Sequence, residues 1–471
     1  MKSLTWCFAI LVLGPLALAS EDVPELPSRD NFYQPKASNW TDEDVGTVLD
    51  YRKVTIDLPV LPGGDIEFEA FQLLYVTQDL HEKKNTSVTT IIIPQGANTS
   101  RILSYQIAYD APDINCSPSY GLQKGANKAA AGWSLNQMIF VAEALADAGS
   151  PVLNIPDYEG SNAAFTVGPQ SAYQTLDSIR AAMRSGEITG IDKDAETVLF
   201  GYSGGGYASE WAVEFHHDYA LDVNIIGAAI GGPPPNIMKT YRNVNGILST
   251  LNVWAMLGVM NAIDDINEYM DGDLKDQHRE KFLGARHRCS EPDDKPPKIP
   301  TWANINNWFK NGVEFLTKFE SKLTEIGVMG NRITDETAPK FPLYIYQGTS
   351  DIITAPYKDT KALKEKFCEH GTSVFLVKWT GLGHGGTLFS GTTWAMKWIK
   401  KVFNRDEIQN GCHEEEHEVA FAAGDLGGLF VDLYDDGERP TGRGLGLGAN
   451  NDPLFIQSGA RAADVFEKAE L

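Results

Sequence analysis

Basic residues are in short supply. Lysine and arginine together number 40 against 63 aspartates and glutamates, giving a net charge of −23. That balance argues against a nucleic-acid role, because phosphate contacts need clustered Lys and Arg. Cysteine is scarce as well, with five in the chain. Cys7 belongs to the N-terminal segment discussed below, leaving Cys116, Cys289, Cys368 and Cys412. An even number in an exported chain implies two disulfides, drawn from three possible pairings. Long apolar runs are missing after the first twenty residues, so no later segment reads as a bilayer span and no stable membrane anchor is expected.

What stands at the start is a targeting segment. Lys2 supplies the positive end, Phe8 to Leu13 the apolar core, and Ala17-Leu18-Ala19 a small-residue cleavage site. Gly14-Pro15 interrupts the apolar stretch, which favours a signal peptide over 1–19 rather than an anchor. The mature chain is expected to begin near Ser20 and to be extracellular. N-glycosylation sequons occur at Asn39, Asn85 and Asn98. Asn115 fits the pattern but is a poor acceptor beside Cys116 and Pro118.

The chain is long enough, at 471 residues with 42% hydrophobic, for one large α/β domain with an insertion. Residues 20–50 read as a polar, Pro-rich surface arm. Strand-like text follows at Val54–Leu58, Ala70–Thr77 and Val88–Ile93, an antiparallel entry to a sheet. From Ile102–Tyr109 onward, strands alternate with helical segments. They include a helical stretch at Phe140–Ala148, a short strand at Pro151–Asp157, the helix Ser171–Arg184 and a strand at Asn224–Ile230. That rhythm predicts a mostly parallel sheet covered on both faces. It breaks over 236–335, which is mostly helical (Leu251–Met260, Trp308–Lys322) and reads as a cap inserted in the core. The sheet resumes at Leu343–Gly348 and Val374–Val377. The expected division is a core of 20–235 and 336–412, the cap of 236–335, and an acidic, Gly-rich, flexible tail over 413–471.

The chemistry centres on Val198-Leu199-Phe200-Gly201-Tyr202-Ser203-Gly204-Gly205. An apolar strand ends in G-x-S-x-G and a helix-compatible segment follows. Such a turn exposes the Ser203 hydroxyl and places the Gly204 N–H to donate to an oxyanion. A serine at neutral pH needs a base. In this fold the order is Ser, acid, His, each after a strand. His384 lies in a Gly-rich loop after Val374–Val377, and Asp351 lies directly after Leu343–Tyr346. Asp335 and Asp359 are the other candidates for the acid. His81, His216, His217, His278, His287 and His370 sit in helical or charged surroundings. The second oxyanion donor is expected from the loop after Ile102–Tyr109, where Asp110 and Ala111 stand.

Several motifs in one order carry a resemblance. They are Asp30-Asn31-Phe32-Tyr33, Ser104-Tyr105-Gln106 with Asp110-Ala111, Cys116-Ser117-Pro118-Ser119-Tyr120 and Pro156-Asp157-Tyr158-Glu159-Gly160. The Ser203 elbow and the Asp351 and His384 loops complete the set. Over about residues 30–412 the chain resembles the fungal secretory lipases of the α/β-hydrolase superfamily. The resemblance implies an α/β-hydrolase fold with a helical cap and a Ser203–Asp351–His384 triad without cofactor or metal. It also implies an oxyanion hole from Asp110 and Gly204, and disulfides Cys116–Cys289 and Cys368–Cys412. The family includes esterases that deacetylate fungal metabolites such as trichothecenes.

Two motifs compete. His413-Glu414-Glu415-Glu416-His417 fits the zinc-protease pattern H-E-x-x-H but lacks an apolar helix face. Gly381, Gly383 and Gly386 fit a dinucleotide fingerprint without a βαβ unit or an acidic partner after it. The expectation is a secreted, monomeric serine ester hydrolase without cofactors, acting on acyl esters or lipids, with a metabolite acetylesterase as the alternative.

Overall fold

The computed structural model describes residues 23–56, 58, 66–141, 144–145, 149–290 and 298–418. The signal segment, the Pro62-Gly63-Gly64 linker, most of Phe140–Ala148 and nearly all of the tail lie outside the described residues.

Ten strands make one sheet in the order β1-β2-β3-β5-β4-β6-β7-β8-β9-β10. β1 (Val48–Lys53), β2 (Phe68–Gln78) and β3 (Lys84–Pro94) pair antiparallel, and β3 meets β5 (Pro151–Pro156) antiparallel. Every later pairing is parallel: β5 to β4 (Asn98–Gln106), then β6 (Glu196–Tyr202), β7 (Ile225–Gly231), β8 (Leu343–Gly348), β9 (Val374–Thr380) and β10 (Cys412–Glu418). The central strands are buried along their whole length, as β5 and β8 show. Their continuous Val/Ile/Leu text reflects helices on both faces. On one face pack the helices Gly168–Arg184 and Gly204–Tyr219; on the other packs His384–Asn404.

Three sequence expectations need correction. The arm of residues 20–50 is not a surface strap throughout, because Phe32 and Tyr33 are buried against Leu74 and Val88. The two rings anchor the arm, and Arg52 lies over the Phe32 ring. The strand expected at Val54–Leu58 lies at Val48–Lys53, leaving Ile56 in an isolated bridge to Gln123. The tail does not begin at 413: residues up to Glu418 continue the core as β10, in register with β9. Acidic side chains suit an edge strand because they discourage further pairing.

Between β7 and β8 the chain leaves the sheet through six α-helices among the described residues, including Ile237–Val244, Ser249–Ala262 and Asp264–Asp273. The expected helix Trp308–Lys322 is broken into a 3-10 turn and the short helices Glu314–Lys318 and Glu320–Gly327. The two crossings lie side by side. Asn236 bridges Val328, and the Met329 N–H donates to the Pro235 carbonyl. The Cys116–Cys289 disulfide ties this insertion to the loop after β4, and Cys368–Cys412 ties β10 to the helix Tyr357–Glu369.

Candidate active site

Ser203 sits between the end of β6 and the helix that follows. Its backbone lies at φ 58°, ψ −122°, a conformation a side-chain-bearing residue adopts only under constraint. The constraint is steric closeness behind it. A Cβ on Gly201 would lie 2.1 Å from the Gly205 carbonyl oxygen, and one on Gly205 would lie 1.8 Å from that of Gln106. Only glycine allows strand and helix to approach this tightly, which is what lifts the serine out of the sheet.

The structure brings the three expected residues together. The Ser203 hydroxyl is 2.8 Å from His384 Nε2, and His384 Nδ1 is 2.7 Å from Asp351 Oδ2. All three are buried, at 5%, 3% and 5% exposure. With the carboxylate at Nδ1, that nitrogen carries the proton, and Nε2 is the acceptor facing the hydroxyl. Burial pushes the Asp351 carboxyl up, but the His384 charge, the hydrogen bond to it and the bonds from Thr354 outweigh burial and hold it below the usual range. His384 is not in a loop as expected; it is the first residue of the long helix His384–Asn404. Its ring lies against Tyr202, whose hydroxyl donates to the His384 carbonyl. The other candidate acids are elsewhere: Asp335 is exposed beside His370, and Asp359 pairs with Lys239.

Asp110 follows β4 at φ 44°, a second non-glycine residue in the left-handed region. Its carboxyl packs on the first residue of the nucleophile helix, since a Cβ on Gly204 would meet Asp110 Oδ1 at 1.9 Å. So Asp110 and Gly204 lie on the same side of Ser203. Behind them stands Pro156-Asp157-Tyr158-Glu159, which sequence reading matched without assigning roles. Both Glu159 oxygens are 3.4 Å from the Ala111 N–H. Burial, then the nearby Asp110 charge, push the Glu159 carboxyl well up. Asp157 accepts from the Ser119 N–H at 2.9 Å, and burial pushes its carboxyl up to about 7.

The competing motifs lose their geometry. His413–His417 lies in a strand, so both histidines and Glu415 share one face, and the His417 ring packs against those of Trp379 and Trp394. A helical H-E-x-x-H site cannot form there. Asp113, Cys116 and Cys289 are close enough for a metal, but both sulfurs are consumed in the disulfide. Of the sequons, Asn39 is exposed, while Asn85 and Asn98 are half-buried with their side-chain oxygens accepting from neighbouring residues.

A serine elbow after β6 of a mostly parallel sheet, with Asp351 after β8 and His384 after β9, is the arrangement of the α/β-hydrolase class of enzyme. Within that class the chain belongs to the secretory lipase family, whose sequence model matches residues 128–411. It is 32% identical to Lipase A of Arthroderma benhamiae over 84% of this chain and 83% of the relative. It is also 32% identical to the trichothecene C-3 esterase of Fusarium sporotrichioides, over 87% and 91% of the two chains. The solved structure of Candida antarctica lipase A in its closed state superimposes with a TM-score of 0.73 at 23% identity, covering 88% of this chain and 95% of that one. The last likeness shows the fold. The protein is thus a secreted carboxylic ester hydrolase. Among the described residues no helix is long and apolar enough to cross a membrane.

Proposed function

We propose that the enzyme cleaves acyl esters of lipids through a Ser203 acyl-enzyme. His384 Nε2 takes the hydroxyl proton as Ser203 Oγ attacks the ester carbonyl. Asp351 holds the ring in the required tautomer and stabilises the imidazolium. The N–H groups of Gly204 and Asp110 receive the charge on the carbonyl oxygen. His384 returns the proton to the departing alcohol, then takes one from water in deacylation. The observation that carries this reading is the unbroken hydrogen-bond chain from Ser203 to Asp351 at a strained serine.

The insertion of 236–335 acts as a cap in this reading, and its interior supports a lipid substrate. An apolar pocket lies among its helices, lined by Met238, Ala255, Met256, Val259, Met270 and Phe315 among others. Such a lining suits a hydrocarbon chain. The second reading is deacetylation of a small metabolite, favoured by the trichothecene C-3 esterase among the relatives.

Hydrolysis of p-nitrophenyl esters from acetate to palmitate separates the two. Activity peaking at medium or long chains, and lost in Ser203→Ala, supports the lipid reading. Activity confined to acetate supports the deacetylase. Equal activity in wild type and Ser203→Ala overturns the nucleophile.

A further inference from the structure

Asp351 is held by more than its histidine. Oδ2 accepts from His384 Nδ1, from Gln347 Nε2 at 2.8 Å and from the Thr354 hydroxyl at 2.8 Å. Oδ1 accepts from the backbone N–H groups of Ile353 at 2.8 Å and Thr354 at 3.1 Å. Thr354 therefore supplies a bond to each oxygen. Its own carbonyl accepts, in turn, from the hydroxyl of Thr240 at 2.6 Å, 114 residues earlier in the chain. Thr240 stands on Ile237–Val244, the first helix of the insertion. Its neighbour Lys239 pairs with Asp359 at 3.1 Å, just beyond the same loop.

We propose that Thr354 is a positioning residue for the catalytic acid and that Thr240 fixes it there, so that the first helix of the insertion sets the triad's geometry. The proposal rests on the Ser203–His384–Asp351 reading above. A buried carboxylate is costly unless donors surround it, and bonds to a charged acceptor are the strong ones. The Thr354 hydroxyl shares Oδ2 with the imidazole, so it fixes the direction in which that oxygen faces Nδ1. Without it the carboxylate loses a donor to its charged form and takes up a proton at higher pH. A protonated Asp351 no longer holds the imidazole in the working tautomer. The Thr240 bond acts one step further out. Its hydroxyl has one proton and two acceptors nearby, the Thr354 carbonyl at 2.6 Å and the Asn236 carbonyl at 3.3 Å. The shorter contact joins the insertion to the acid loop.

The test is the pH profile of kcat/KM on a soluble p-nitrophenyl ester, using the full secreted protein. Thr354→Val removes only the hydroxyl. It is expected to lower kcat about tenfold with KM nearly unchanged, and to move the acid limb up by about half a unit to one unit. Thr354→Ser keeps the hydroxyl and is expected to keep the wild-type acid limb. Thr240→Val is expected to move the limb in the same direction with a kcat loss of about threefold, and Thr240→Ser to reverse both. A merely structural role would lower the melting temperature and leave the limb in place. Thr240 is only half-buried, so Thr240→Val remains informative if Thr354→Val does not fold. An inactive Asp351→Asn beside unshifted limbs in the Val variants overturns this proposal and leaves the triad standing. An Asp351→Asn as active as wild type overturns the triad reading itself. A shift in Thr354→Val with none in Thr240→Val overturns the tether to the insertion.

Discussion

At the residue scale, the site depends as much on a missing side chain as on those present. In the proposed mechanism Gly204 supplies one oxyanion N–H, and the space its Cβ would fill holds the Asp110 carboxyl. Gly204→Ala leaves the nucleophile, base and acid intact, and alanine favours a helix. The added methyl must instead displace Asp110 and with it the second donor. The expected result is a folded enzyme with Ser203 still reactive towards a phosphonate and kcat reduced about 10²–10³-fold, the usual loss for one oxyanion donor. Near-wild-type turnover in Gly204→Ala would place the oxyanion hole elsewhere.

At the scale of elements, the nucleophile helix Gly204–Tyr219 carries a second task. Glu210 and Glu214, one turn apart, are both buried, and each lies close enough to shift the other's titration. Glu214 also accepts from the N–H groups of Gly330 and Arg332, where the insertion returns to the sheet. Burial, then the neighbouring Glu214 charge, push the Glu210 carboxyl well up. A raised carboxyl favours the folded state while protonated. Above the unfolded value the folded chain binds more protons than the unfolded one, so stability falls as pH rises towards the folded value. Glu210→Gln keeps the shape of the side chain and removes the titration. It should gain about 1–3 kcal/mol at pH 8 and nothing near pH 4, read as melting temperature. An equal gain at both pH values would show that the pair does not titrate as stated.

The same scale explains what the sequence made legible. The meeting of Ser203, Asp351 and His384 could be anticipated because each follows a strand whose apolar run is unambiguous. The strand at Val48–Lys53 could not, since its text Val-Leu-Asp-Tyr-Arg-Lys is half polar, as befits a sheet edge. β10 was hidden for a related reason: four glutamates in seven residues look like a solvated tail, and only pairing with β9 makes them a strand. The helix at His384 was obscured by Gly385 and Gly386, poor helix formers that tertiary packing overrides. Thr354 and Thr240 were out of reach, because nothing in a sequence ties a threonine to a carbonyl 114 residues away.

At the scale of the whole molecule, the proposed mechanism puts the chemistry on the sheet and the choice of substrate in the insertion. The two are joined by the paired crossings at Asn236 and Val328, by the Thr240–Thr354 bond and by Cys116–Cys289. That disulfide closes a loop across 173 residues, enough in the chain-entropy account for about 5 kcal/mol. A cap held this firmly can act as a selective mould, and its cavity makes the idea testable. Ala255 and Val259 lie one turn apart on Ser249–Ala262 and both line the apolar space. Ala255→Phe fills part of that space without touching the triad. If the acyl chain occupies it, kcat/KM for palmitate should fall at least about tenfold relative to acetate, because each methylene denied its place is worth about 1 kcal/mol or more. Acetate, which never reaches the cavity, should be cleaved as before. A parallel loss on both esters would mean that the substitution disturbs the site through the fold. An unchanged chain-length profile would mean that the acyl group lies elsewhere, and that the cavity belongs to the packing of the cap alone.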